Sequence, residues 1–123
     1  MFRLRIEDHF DASHSIPGHA GKCRNLHGHT YKVEVFVTGQ TTDSNGILEN
    51  SDFIELKSGL RSCLSEFDHN HLNNILGNNA TAENVSKILF HKLEDKGIKN
   101  LERVRVWESQ NQYAEYWKDN EGK

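Results

Sequence analysis

One proline, one methionine and two cysteines in 123 residues are few, and each scarcity narrows the field. Cys23 and Cys63 make no disulfide framework, so free thiols in a reducing compartment are expected. No apolar run approaches the roughly 20 residues of a membrane helix. Cations are also short: 15 Lys and Arg face 18 Asp and Glu, leaving a net charge of −3. That balance argues against nucleic acid or an anionic membrane as the main partner. The segment Met1–Asp8 alternates charge with apolar residues and lacks the unbroken apolar stretch of a signal peptide, which points to the cytoplasm. Apolar residues make up only 35% of the chain, so its core is lean and burial through association is expected. With no repeat or linker, and only the polar end Lys118–Lys123 expected to fray, residues 1–123 read as one domain.

Histidine is the residue in excess, with eight copies, and periodicity says where they fall. From Phe2 to His14 the even positions are Phe2, Leu4, Ile6, Asp8, Phe10, Ala12 and His14, a half-buried strand interrupted at Asp8. Ser15–Leu26 holds Pro17, Gly18 and Gly21 and reads as a loop. A second strand carries His27, His29, Tyr31, Val33, Val35 and Val37 on one face. Gly39–Gly46 is a turn region, with Asn45-Gly46 as a hairpin signal. The period then changes: Phe53, Leu56, Leu60, Cys63, Leu64 and Phe67 predict an amphipathic helix over about Asp52–Phe67. Thr81 is a candidate N-cap for a second helix that stops at Gly97. Strands over Leu101–Glu108 and Tyr113–Trp117 complete the order β-β-α-α-β-β, an α+β fold with both helices on one face of an antiparallel sheet.

The strongest chemical signal is His27-Gly28-His29. Residues i and i+2 of a strand point the same way, so both imidazoles can converge on one ion. His14 ends the first strand in its apolar phase and would reach the same point if the two strands pair. Three neutral nitrogens with an open fourth position suit catalytic zinc, though other divalent metals fit too. The plain alternative is a set of partly buried structural histidines. Cys23, between Lys22 and Arg24, has the cationic setting of reactive thiols; it could also be a fourth ligand or a small core residue. Cys63 reads as packing. Asp68-His69 could be an acid–base pair or a surface turn. Glu108 ends a strand in phase with Val104 and Val106, where it either meets water or pairs with a guanidine-like ligand edge. His9, His19, His71 and His91 read as surface or satisfied polar groups. Arg3, Arg5, Arg103 and Arg105 line the opposite side of the sheet, solvated or facing a lumen.

Six ordered motifs carry a resemblance across nearly the whole chain. They are Phe10-Asp11-Ala12-Ser13-His14, Cys23 with His27-Gly28-His29-x-Tyr31, Asp52-Phe53-x-x-Leu56-Lys57, Asp68-His69-x-x-Leu72-Asn73, Thr81-x-Glu83-Asn84 and Val104-x-Val106-x-Glu108. Together they resemble the 6-pyruvoyl-tetrahydropterin synthase family. The short interval from Cys23 to His27 is most like its bacterial 6-carboxy-5,6,7,8-tetrahydropterin synthase branch. The pattern departs from the family in two extra residues before Asp52, in Ala80 where proline is common, and in Ser109 after the glutamate.

The resemblance implies the tunnelling fold: four-stranded sheets closing into a trimeric β-barrel, with two trimers commonly stacked and active sites between subunits. It implies zinc (Zn2+) held by His14, His27 and His29, Cys23 as the base, and Asp68 with His69 as the partner acid–base pair. Glu108 would anchor the pterin edge, with Thr81 and Glu83 in the same pocket. The implied reaction converts 7,8-dihydroneopterin triphosphate to 6-carboxytetrahydropterin, releasing acetaldehyde and triphosphate, in 7-deazaguanine (queuosine) biosynthesis. A pyruvoyl-type synthase that only eliminates triphosphate is the rival enzyme. A pterin- or metal-binding protein without turnover is the rival of another class.

Overall fold

The structure, a computed structural model, describes residues 1–119; residues 120–123 of the polar end read above as fraying lie outside it. Strand β1 (Phe2–His14) pairs antiparallel with β2 (His27–Gly39) along its whole length. Alternation along β1 buries Ile6, Phe10, Ala12 and His14 and exposes Arg3, Arg5, Glu7, His9 and Asp11. Asp8, the polar interruption, is matched by Arg61 at 3.3 Å. Strand β2 continues the sheet to β4 (Leu101–Ser109), which pairs with β5 (Gln112–Tyr116), all antiparallel.

Helices α1 (Phe53–Leu64) and α3 (Ala82–Asp95) pack on one face of this sheet, as their apolar stripes require. Leu56, Leu60, Leu64, Val85, Leu89 and Leu93 meet Phe10, Tyr31, Val33, Val35, Val104 and Val106 in one core. Both helices start where their caps allow. The Asp52 side chain accepts from the Ile54 amide at 2.8 Å, and Thr81 Oγ1 accepts from the Asn84 amide at 3.2 Å. Gly97, at φ 90°, ends α3: its amide and that of Ile98 reach back to the carbonyls of Glu94 and Leu93.

Two elements went unread in the sequence. Residues Asn70–His71 form a two-residue strand, β3, parallel to β1 at Ala12 and Ser13, so the sheet has five strands in the order β3-β1-β2-β4-β5. A four-residue helix, α2 (Asn73–Leu76), follows it. Both are too short to carry a hydrophobic period, and β3 forms because the Leu72 amide bonds the Ser13 carbonyl at 2.8 Å.

The face of the sheet away from the helices is polar and organised around Glu34. Its carboxylate, 5% exposed, accepts from Arg5 and from the Trp107 indole N–H, with Arg105 at 3.7 Å. Glu115 binds Arg103 at 2.6 Å and Arg105 at 2.9 Å, and Glu102 binds Arg3 at 2.8 Å. The four arginines of the sequence reading are therefore neutralised in place. Burial pushes the Glu34 carboxyl up, but hydrogen bonds from Arg5 and Trp107 and the charges of Arg5 and Arg105 outweigh it and hold it below its ordinary range.

A carboxyl depressed on folding adds stability above its unfolded pKa, which is lost as pH falls through the lower folded value. Glu34→Gln is expected to destabilise the protein by about 1–3 kcal/mol at neutral pH, since Arg5 and Arg105 each lose one of two carboxylate partners and keep only Glu7 and Glu115. The urea midpoint reads this. The gap between wild type and variant should close below about pH 4, where a carboxylate protonates; a gap independent of pH would refute the assignment.

Candidate active site

The β1–β2 register sets His14 opposite His27 and Ala12 opposite His29. Even positions of β1 and odd positions of β2 share the helix-side face, so all three imidazoles project together. Ring centroids lie 4.4 Å apart for His14 and His27, 5.0 Å for His14 and His29, and 4.8 Å for His27 and His29. One nitrogen from each ring falls within 4.8 Å of the other two.

Hydrogen bonds fix which nitrogens are free. His14 Nδ1 lies 2.6 Å from the Ala80 carbonyl oxygen and His27 Nδ1 lies 2.7 Å from that of Asn25. A carbonyl only accepts, so each Nδ1 carries a proton, and in the neutral ring the lone pair then lies on Nε2. His14 Nε2 is wholly buried and makes no hydrogen bond among the described residues, an orphaned polar atom facing the cluster. Burial, chiefly, pushes His29 below the ordinary imidazole range; the Glu108 charge opposes this and His14 and His27 add to it. Three clustered imidazoles, one with a buried Nε2 that makes no hydrogen bond among the described residues, fit a divalent transition metal such as zinc.

Glu108 stands beside this cluster rather than in open water. Its Oε2 lies 3.7 Å from His14 Nε2, and its Oε1 accepts from the Gln112 side-chain amide at 3.0 Å. Glu108, Glu83, Gln112, Tyr113, Ala82 and Ala114 line a cleft of about 270 Å³. Thr81 borders it only through the chain, because its hydroxyl caps α3. Tyr31, stacked on Phe10 at 4.9 Å, lies against His14 and His29; its buried hydroxyl makes no hydrogen bond among the described residues, and burial and then the Glu108 charge raise its pKa.

Asp68 and His69 form a pair on the other side of β1. His69 Nδ1 lies 3.0 Å from Asp68 Oδ1, which also accepts from the Asp11 amide at 3.0 Å. The His69 amide in turn donates to the Asp11 carbonyl at 2.6 Å, holding His69 at φ 59°. A non-glycine residue in that region is strained, and the two backbone bonds to Asp11 over-determine it. The Asp11 hydrogen bond is the main cause that holds the Asp68 carboxyl below its ordinary range; burial opposes it, and His69 and Arg61 assist. An imidazole that donates through Nδ1 leaves Nε2 as a base, so this pair can move a proton.

Alternation separates the two groups: Asp11, which clusters with Asp68 and His69, faces away from the side that His14 occupies. One chain thus does not bring the pair onto the imidazole cluster. Cys23 sits half-buried in a 3-10 turn, Lys22–Arg24, tied down by the Ile16 amide on its carbonyl at 2.8 Å. Among the described residues its thiol makes no hydrogen bond, and neither cysteine is in a disulfide. Sequence reasoning missed Asp11, Asn25, Ala80 and Gln112 as supports. Asp11, Asn25 and Ala80 act through backbone atoms, which no side-chain pattern reports, and Gln112 acts through its side-chain amide on Glu108.

The 6-pyruvoyl tetrahydropterin synthase family matches the chain over residues 3–119. A Synechocystis protein named 6-carboxy-5,6,7,8-tetrahydropterin synthase is 36% identical, covering 95% of this chain and 94% of its own. A Pyrococcus furiosus protein named dihydroneopterin monophosphate aldolase is 32% identical, covering 86% and 89%. The solved Caenorhabditis elegans 6-pyruvoyl tetrahydropterin synthase superposes with a TM-score of 0.83 at 25% identity, covering 96% of each chain. No helix among the described residues is long and apolar enough to cross a membrane. With its tunnelling-fold architecture and near-complete alignment, the chain belongs to the 6-pyruvoyl tetrahydropterin synthase family.

Proposed function

We propose that this protein is a zinc-dependent 6-carboxy-5,6,7,8-tetrahydropterin synthase, converting 7,8-dihydroneopterin triphosphate to 6-carboxytetrahydropterin with loss of acetaldehyde and triphosphate. The buried His14 Nε2, without a hydrogen bond among the described residues and clustered with His27 and His29, carries the metal part of this reading. The name of the Synechocystis relative supports the reaction. Zinc held by His14, His27 and His29 would polarise side-chain oxygens of the substrate and acidify the neighbouring C–H.

The chain's own residues supply the rest. Glu108 turns a carboxylate into the cleft it shares with Glu83, where it can pair with the 2-amino-4-oxo edge of a pterin through two parallel hydrogen bonds. Thr81 fixes the start of α3 and with it the place of Glu83. Cys23 acts as the base on one face of the substrate, and His69, oriented by Asp68, returns the proton on the other. Because His69 lies across β1 from the imidazoles, the pair that completes each site comes from a neighbouring copy. Two unpaired sheet edges support such an assembly: β3 covers only Ala12 and Ser13 of β1, and β5 has no outer partner. Head-to-tail pairing of β5 with β1 of the next copy closes a ring, a trimer or a pair of stacked trimers.

The Pyrococcus relative favours a second reading, aldol cleavage of a dihydropterin monophosphate on the same residues. Mass spectrometry of products from 7,8-dihydroneopterin triphosphate decides among these. Acetaldehyde with a 6-carboxy product is expected. A pyruvoyl product would move the protein to the other synthase branch, and turnover of the monophosphate alone would favour the aldolase. Cys23→Ala is expected to lower kcat at least a hundredfold with metal content intact, and full activity in that variant would remove the thiol from the mechanism. For the metal, one bound zinc per chain is expected by elemental analysis of wild type and much less in His27→Ala. Equal stoichiometry would refute the site. Sedimentation should give three or six chains, and a monomer at micromolar concentration would break the shared-site reading.

A further inference from the structure

The polar face of the sheet carries one cation that its neighbours do not explain. Arg3, Arg5, Arg103 and Arg105 each have a carboxylate within 4 Å. Lys32, half-buried between them and the Asp68–His69 end, has no carboxylate partner among the described residues. Its ammonium is held over the Trp107 ring, 4.7 Å from the centroid, so it is fixed without being neutralised. His9 is its cross-strand partner on the same face, and Trp107 its partner on the other side.

Beside Lys32 lies a cavity of about 480 Å³ lined by Thr30, Lys32, Trp107, Ser109 and Gln110. The Ser109 hydroxyl accepts from the Asn111 amide at 3.3 Å and keeps its own proton to donate. Thr30 gives its proton to Asp11 at 2.5 Å, so the Asp11 carboxylate is already engaged. Thr30 also borders the open cleft of His69 and His71, so the two spaces adjoin. Ser109 follows Glu108 directly in β4 and so faces the opposite side of the sheet from the Glu108 cleft, the side that also carries His69; like His69, the cavity would meet the Glu108 cleft of a neighbouring copy.

We propose that Lys32, with the Ser109 hydroxyl and the cavity between them, is a polyphosphate subsite that takes the triphosphate arm of the substrate. The proposal rests on the dihydropterin-triphosphate reading above. An ammonium is a point charge that suits phosphoryl oxygens of varied geometry, and a half-buried one without a counter-ion is the cation an incoming anion neutralises with least competition. The adjoining His69 cleft places such an arm next to the proton-transfer pair.

The test uses inorganic tripolyphosphate on the zinc-loaded protein carrying Trp117→Phe, so that Trp107 is the sole indole reporting. Metal content is measured before and after, because polyphosphates chelate divalent ions. Saturable quenching is expected, at least tenfold weaker in Lys32→Gln and largely restored in Lys32→Arg, with all variants melting together. Tripolyphosphate should also compete with the dihydropterin triphosphate, and Lys32→Gln should raise KM for that substrate while leaving kcat nearly unchanged. Lys32-independent binding, or a KM unmoved by Lys32→Gln in an active enzyme, would overturn the subsite alone. Lys32-dependent binding without competition would overturn its assignment to the substrate arm. Lys32-dependent binding in a protein that processes no dihydropterin would leave the anion site standing and remove the function on which its role depends.

Discussion

Everything chemical in this molecule depends on the register between β1 and β2. Thirteen residues on each strand pair without a break from Phe2 with Gly39 to His14 with His27. A slip by one residue would turn His14 to the polar face and Asp11 into the core, because side chains alternate with period two. The register is pinned from both sides. Phe10 stacks on Tyr31 within the core, and Arg5 grips Glu34 on the opposite face. The clustering of the three imidazoles is thus a by-product of packing that the fold needs anyway.

The two faces of that sheet do different work. The helix side holds the apolar core and the three imidazoles, with the Glu108 carboxylate 3.7 Å from His14. The polar side holds Glu34, Glu115 and four arginines in a compensated network and ends in Asp11, Asp68 and His69. A lean core is consistent with this division, since one whole face of the sheet is committed to charge rather than to apolar packing. Pairing Glu34 and Glu115 with the arginines lowers the cost of that commitment, and Lys32, held over Trp107, is the cation left outside the network.

Long strands and helices were legible because each repeats its period several times: β1, β2, α1 and α3 fall within a few residues of their sequence expectations. The cap at Thr81 and the stop at Gly97 were legible for the same local reasons. Elements β3 and α2 were not, because they exist through contact with β1 rather than through their own residues. The candidate ligands could be read from the spacing of His27 and His29 and the phase of His14. That Asp68 and His69 lie across the strand from them was implicit in the odd phase of Asp11, yet it needed the pairing of β1 with Asn70 and His71 to become visible. Glu34 is the instructive miss. It sits in the polar phase of β2, and only Arg5, Trp107 and Arg105 together make burial there tolerable.

The supports of the imidazoles bear on how strongly a bound ion could act. His14 and His27 donate to backbone carbonyls of Ala80 and Asn25, not to carboxylates. A carboxylate in that position would lend the ring anionic character and offset part of the ion's charge; a carbonyl fixes the tautomer while leaving the ligand neutral. Neutral ligands in a buried site leave a dication's charge to be felt by whatever occupies the open position. Glu108 is the exception, and Gln112 holds one of its oxygens while the other faces His14. A ligand that pairs with Glu108 would draw that carboxylate's charge toward itself and away from the cluster. In the proposed function, binding at the cleft and activation at the imidazoles would therefore be coupled through a single side chain, Glu108 at the end of β4.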